Sequence, residues 1–172
     1  YIGVASGNGV NLVNTANPLK ISGGNGHLSL SNNQLIVKYV ADSGCYFYLM
    51  LAQPLIANKT YVLSFDCSGV EEGVLSEWRV ENNVNYSIIL ENGKVSISFS
   101  LSTDIPTQLL MDDGNRANVV GKEIILSNFQ IQEYSSYGVA QLCYSAGNYF
   151  IPLGSSGLVT ADNKTFCLRG EE

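Results

Sequence analysis

The sequence predicts an all-β protein: a two-sheet, antiparallel β-sandwich over residues 1–134, with a small β-hairpin appendage over 135–172. Three observations carry this. Apolar residues recur at period two in short segments, the spacing that lines one face of a strand. Gly, Asn, Asp and Ser separate those segments, as turns require. No capped apolar stripe at helical spacing is present. About nine strands in some 130 residues, joined mostly by short turns, are best accommodated by two sheets packed face to face.

The elements follow in order. Residues 1–26 are rich in Gly and Asn and hold short apolar pieces at 10–13 and 19–21. Residues 27–30 and 34–40 read as strands joined by a turn at Ser31-Asn32-Asn33. The next strand is 45–53, ended by Pro54. A turn at Asn58-Lys59 leads into a strand whose one face is Tyr61, Leu63, Phe65 and Cys67. Residues 75–80 follow, with the single tryptophan, Trp78. "NYSIILENGKVSISFSL" reads as a hairpin around Asn92-Gly93, because Asn-Gly tolerates the positive φ of a type I′ turn. Val95, Ile97, Phe99 and Leu101 alternate there with serines, so one face is wet and the other buried. Strand 107–111 is expected to end in a turn at Asp112-Asp113-Gly114-Asn115, and strand 123–133 closes the set. Ser135-Ser136-Tyr137-Gly138 then breaks the pattern. Two hairpins are expected beyond it, around Ser145-Ala146-Gly147 and Asp162-Asn163. Thirty-eight residues build little core alone, so they are expected to dock on the sandwich, to pair with a neighbouring chain as an assembly element, at a trimer axis for instance, or to begin a larger truncated domain.

Composition narrows the partners. Hydrophobic residues make up 45% of the 172, enough for a sizeable core. Only 14% are charged, and 17 Asn and 19 Ser supply surface polarity instead. The net charge is −6 and no window concentrates Lys or Arg. Nucleic acid and anionic membranes repel such a chain, so neither is expected as a partner. No apolar run is long enough to span a bilayer. The first residue is Tyr1, so a processed chain or a fragment is expected.

Cys45, Cys67, Cys143 and Cys167 form no CxxC pair, and the lone His27 is distant in sequence, so zinc is not expected. Disulfides Cys45–Cys67 and Cys143–Cys167, or buried free thiols, remain the alternatives.

Three stretches carry a resemblance. "LIANKTYVLSFDCSG", "KEIILSNFQIQEYSS" and "GVNLVNTANP" resemble segments of carbohydrate-binding β-sandwich modules, and together they frame residues 9–136; the resemblance implies a jelly-roll-like sandwich. Very similar domains occur in bacteriophage tail, baseplate and fibre proteins. Asn58 stands where the family's turn glycine falls, and Gln132-Glu133 where its Glu-Gly falls. The resemblance implies core roles for Tyr61, Leu63 and Phe65 and a local capping role for Asn128. The function it implies is non-enzymatic: a virion protein, with other virion proteins as partners, that decorates the particle or binds host-surface glycans. The alternative is a carbohydrate-binding module cut from a secreted bacterial glycoside hydrolase. The location implied is virion or extracellular.

Sugar binding needs aromatic faces plus amide and carboxylate contacts. Tyr39, Tyr46, Tyr48, Trp78 and Tyr86 are the candidate rings, with Asn83, Asn85, Gln53 and Gln108 as polar contacts. In "CYFYLMLA" the period of two puts Cys45, Phe47, Leu49 and Leu51 on a uniformly apolar face, expected in the core. Tyr46, Tyr48 and Met50 share the other. Those two rings either stand open or pack beneath a loop, and Trp78 either meets ligand or packs in the core. Related modules hold a structural calcium. Asp112, Asp113 and Asn115 offer hard oxygens for one, although their spacing is not an EF-hand. Catalytic motifs are absent. Three Asn-x-Ser/Thr sequences occur, at Asn58, Asn85 and Asn163.

Overall fold

The computed structural model describes residues 9–23, 27–40, 44–115, 121–134, 143–145, 148–150, 157–161 and 164–168. It is all-β. Ten strands make two five-stranded antiparallel sheets: β1 Leu19–Gly23, β2 Leu28–Ser31, β3 Gln34–Lys38, β4 Tyr46–Met50, β5 Thr60–Ser68, β6 Glu77–Val80, β7 Ser87–Ile89, β8 Gly93–Ser100, β9 Gln108–Asn115 and β10 Glu123–Glu133. One sheet has the order β1-β4-β9-β6-β7, the other β2-β3-β10-β5-β8. The chain changes sheet repeatedly, as a jelly roll does.

The compact unit formed by these strands spans Gly9–Glu133. A second unit, Tyr1–Asn8 with Tyr134–Glu172, contains two hairpins: β11 Cys143–Ser145 with β12 Asn148–Phe150, and β13 Gly157–Ala161 with β14 Lys164–Leu168. The turns expected at 146–147 and 162–163, and the break at 135–138, lie outside the described residues.

The core is the inner face of both sheets. Tyr61, Leu63 and Phe65 are each at most 2% exposed, as expected of that strand. So are Phe47 and Leu49 of β4 and Leu109 and Met111 of β9. Phe129 links the layers, its ring 5.8 Å from Phe47 and 5.2 Å from Phe65. Cys45 and Cys67 are both buried and are not joined in a disulfide, which removes that alternative for the pair. Burial pushes the Cys67 thiol up to about 11.

Two expectations fail here. The Asn92-Gly93 hairpin does not form: β7 pairs with β6, whereas β8 pairs with β5 in the other sheet. Gly93 has φ 108, but Asn92 does not take the positive φ of a type I′ turn. Its side chain instead accepts from Val70 N at 2.9 Å and donates to Val70 O at 2.8 Å, fixing the crossover between sheets. Positive φ falls at consecutive positions elsewhere, at Asn32-Asn33 and Glu81-Asn82. The turn expected at residues 112–115 is likewise absent. β9 runs through Asn115, paired with Glu77 of β6.

Candidate functional site

The outer face of the β1-β4-β9-β6-β7 sheet gathers exposed Tyr46 and partly buried Tyr48 with charged side chains. One row of partners crosses four strand boundaries: Gly23, Tyr46, Asp112, Arg79 and Ser87. The next holds Lys20, Tyr48 and Leu110. Cross-strand partners project to the same side, so each row is a line of neighbours on one surface.

Tyr46 is 39% exposed. Its ring and that of Tyr48 meet edge to face, with centroids 6.2 Å apart and planes at 83°. The sequence explains how the ring is seated. Tyr46 lies opposite Gly23 just beyond a bulge in β1, and it occupies the space where a Cβ at residue 23 would project. A bulge re-aims side chains, and glycine admits close approach. A second seat mirrors the first. β9 bulges opposite Glu77 and Trp78, and the Arg79–Glu77 pair (Nε to Oε1, 3.0 Å) folds over Gly114. The Ser87 hydroxyl first, and the Arg79 guanidinium second, hold the Glu77 carboxyl below its usual value.

Glu81 closes the far side of the second row. Its backbone has φ 51, an uncommon conformation for a side-chain-bearing residue. Its N–H donates to Leu110 O at 2.9 Å, and its Oε1 accepts from Leu110 N at 2.6 Å, so the carboxylate carries the ladder one step past β6. Burial raises its pKa, while the Leu110 bond opposes that rise. Because the folded value lies above the unfolded one, Glu81 stabilises the fold most below pH 4.5 and loses that contribution as pH rises through the folded value. Glu81→Gln keeps the acceptor and removes the charge. Thermal melts should show the variant equal to or up to ~1 kcal/mol more stable at neutral pH, discounted for half-exposure. Its profile should be flatter than wild type above pH 4.5. Unchanged pH dependence would contradict this role.

The residues singled out in sequence do not all meet here. Tyr46 and Tyr48 do. Trp78 does not: it is 1% exposed, its ring 5.1 Å from Phe47 and edge to face with it, because its position on β6 points inward. Tyr39 is also buried, beside Cys45 and Asp113, and burial above all drives its phenol pKa far upward. The Tyr86 hydroxyl donates to Ser100 O at 2.7 Å, a structural bond. Asn83 caps the 3-10 turn Val84–Tyr86, accepting from Asn85 N at 3.0 Å. That turn and exposed Gln53 leave the sheet at the end where Met50 pairs with Gln108, about 13 Å along β4 from Tyr46.

The expected calcium set does not converge. Adjacent strand residues face opposite sides, so Asp112 is on the outer face and Asp113 inside. Asp113 is 8% exposed, and its Oδ1 accepts from Cys45 N at 3.0 Å, pinning the start of β4. The Asn115 side chain lies outside the described atoms. Among the described residues, no group of three or more His, Cys, Asp or Glu could hold a metal ion. No helix among them is long and apolar enough to cross a membrane.

The other sheet carries a polar hollow of about 450 Å³, lined by Asn11, Asn32, Asp66, Lys94, Asn128 and neighbouring residues. Two of its amides hold the fold. Asn11 Oδ1 accepts from Val13 N (3.0 Å) and Ile131 N (3.1 Å), and Asn128 Nδ2 donates to Asp66 Oδ2 at 2.5 Å. Its one ring, Phe129, is 5% exposed. The hollow therefore presents no open aromatic face.

Fold and face together define a two-sheet antiparallel β-sandwich with an aromatic corner on one sheet. No family model matches the sequence, and no curated protein matches it. Several solved structures are similar, three of them as follows. The secreted serine protease VesC from Vibrio cholerae shares 14% identity at TM-score 0.42, over 71% of this chain and 25% of that one. A CBM61 module in complex with β-1,4-galactotriose shares 14% at TM-score 0.39, over 67% and 88%. The CBM22-1–GH10 modules of Clostridium thermocellum xylanase 10B, complexed with xylohexaose, share 13% at TM-score 0.41, over 83% and 29%. The chain thus spans about a quarter of the protease's length, and likeness at this level transfers no function.

Proposed function

We propose that the sandwich is a non-catalytic glycan-binding module whose sugar lies across the outer face of the β1-β4-β9-β6-β7 sheet. The observation that carries this reading is the Tyr46–Tyr48 corner, seated on Gly23 beside Asp112 and Arg79. A pyranose offers a C–H face to one ring and its edge to the other, while its hydroxyls meet carboxylate and guanidinium. Three nearby carboxylates favour binding over catalysis, because they have structural tasks. Glu77 pairs with Arg79, Glu81 holds Leu110 N, and Asp113 holds Cys45 N. Glu77, Glu81 and Asp112 against Lys20 and Arg79, on a chain of net charge −6, favour a neutral sugar over an acidic one.

Of the two settings expected from sequence, we adopt the extracellular carbohydrate-binding module. It asks for nothing besides this face, whereas the virion setting also asks for assembly through residues 135–172. Several copies on one particle or enzyme would raise a weak affinity through multivalency. Calorimetric titration with galacto-oligosaccharides, xylo-oligosaccharides and β-glucan fragments tests the reading. Saturable binding of at least one, lost in Tyr46→Ala, is expected. A folded protein that binds none of a broad glycan array displayed multivalently would overturn it.

A further inference from the structure

β8 ends its sheet, and it is the longest edge strand of the sandwich. It has eight residues, against five in β1, four in β2 and three in β7. Natural proteins blunt such edges with charge, proline, bulges or brevity. Here the only charge is Lys94 at the start, no proline occurs, and the pairing with β5 runs without a register shift from Thr60↔Ser100 to Cys67↔Gly93.

Two hydrogen bonds fix which backbone groups face outward. Leu101 O accepts from Asn58 N at 2.8 Å, on the β5 side. Ser100 O accepts from the Tyr86 hydroxyl, on the opposite side. Backbone direction alternates along an antiparallel strand. The N–H and C=O groups of Lys94, Ser96 and Ser98 therefore point away from β5, toward the open edge.

The side chains around Ile97 form a palindrome of character: Val95, Ser96, Ile97, Ser98, Phe99. We infer that two copies of this chain pair antiparallel through β8 about a two-fold axis at Ile97, joining their β2-β3-β10-β5-β8 sheets into one. In this register Ser96 faces Ser98 of the second copy, and both carry outward backbone groups, so each such pair exchanges two hydrogen bonds. Ile97 faces its own copy and Val95 faces Phe99, covering side chains that are only partly buried at Val95 and Ile97. Lys94 faces Ser100, so no like charges oppose. An interface of this kind is isologous and closes on itself. Main-chain bonds supply its affinity, as in strand addition generally.

Sedimentation of the full chain across a concentration series tests this. A species of twice the 18.6 kDa chain mass is expected. Ser98→Pro removes an outward N–H without touching the β5 ladder. It should weaken the dimer by at least about tenfold. If that variant fails to fold, charge pairs carry the test. Ser96→Glu with Ser98→Glu sets carboxylate against carboxylate across the axis and should give monomer, whereas Ser96→Lys with Ser98→Glu should restore the dimer. A chain that is monomeric throughout overturns the inference. So does a dimer indifferent to Ser98→Pro, or one whose charge variants behave alike.

Discussion

Replacing Trp78 by alanine is expected to lower folding stability by about 3–5 kcal/mol, the cost of deleting a large buried ring. Trp78 is 1% exposed and packs edge to face on Phe47, which in turn touches Phe129 between the layers. The neighbouring strands are hydrogen-bonded on both sides of β6, which limits collapse into the space, so most of the void persists. Chemical denaturation should show a lower midpoint at unchanged slope. Sugar affinity measured below the new midpoint should stay near wild type, because the ring does not reach the outer face. A loss of affinity with under ~1 kcal/mol of destabilisation would place Trp78 at the ligand instead.

The second large effect is on binding. Gly23→Ala should weaken sugar affinity by about 10- to 100-fold, nearly as much as Tyr46→Ala, although Tyr46 itself is retained. A Cβ at residue 23 overlaps the Tyr46 ring, and the ring must leave its seat. The ring is at the surface, so it swings into solvent at little energetic cost. Stability should therefore change by less than ~1 kcal/mol. Far-UV circular dichroism and a melt would check the fold, and calorimetry the affinity. Gly23→Ala binding as wild type would show that the seated conformation of Tyr46 does not matter.

Much of the fold was legible in the sequence, for a local reason. Period-two alternation marks which side of a strand is apolar, so the burial of Phe47 and Leu49, of Tyr61, Leu63 and Phe65, and the outward aim of Tyr46 follow directly. The β10 limits, Glu123–Glu133, were readable from the same pattern. The choice of sheet was not. Asn92-Gly93 has the composition of a hairpin turn, but the Val70 backbone that captures Asn92 is 22 residues away. Nothing in a local window signals that competition. Residues 112–115 failed similarly: Asp, Asp, Gly and Asn favour turns, yet β6 and Cys45 hold them in a strand.

The site divides along the same line. Tyr46 and Tyr48 sit two apart on one strand, so sequence alone paired them. Their neighbours Asp112, Arg79 and Gly23 come from three other strands and needed the strand order. For Trp78, alternation was available as a signal: Glu77 and Arg79 flank it with charge, so Trp78 and Val80 belong to the inner face. Gly23 and Gly114 were invisible as seats, because a seat exists only once a bulge brings a side chain over it.

The central claim is that sugar meets the Tyr46 face. Titrating ¹⁵N-labelled protein with xylo- and galacto-oligosaccharides while following amide shifts tests it most directly. The account predicts saturable shifts confined to Gly23, Tyr46, Tyr48, Arg79 and the 110–114 segment of β9, with the amides around Asn11 and Asn128 unmoved. Saturable shifts clustered in the Asn11–Asn128 hollow, or none with any oligosaccharide, would contradict it.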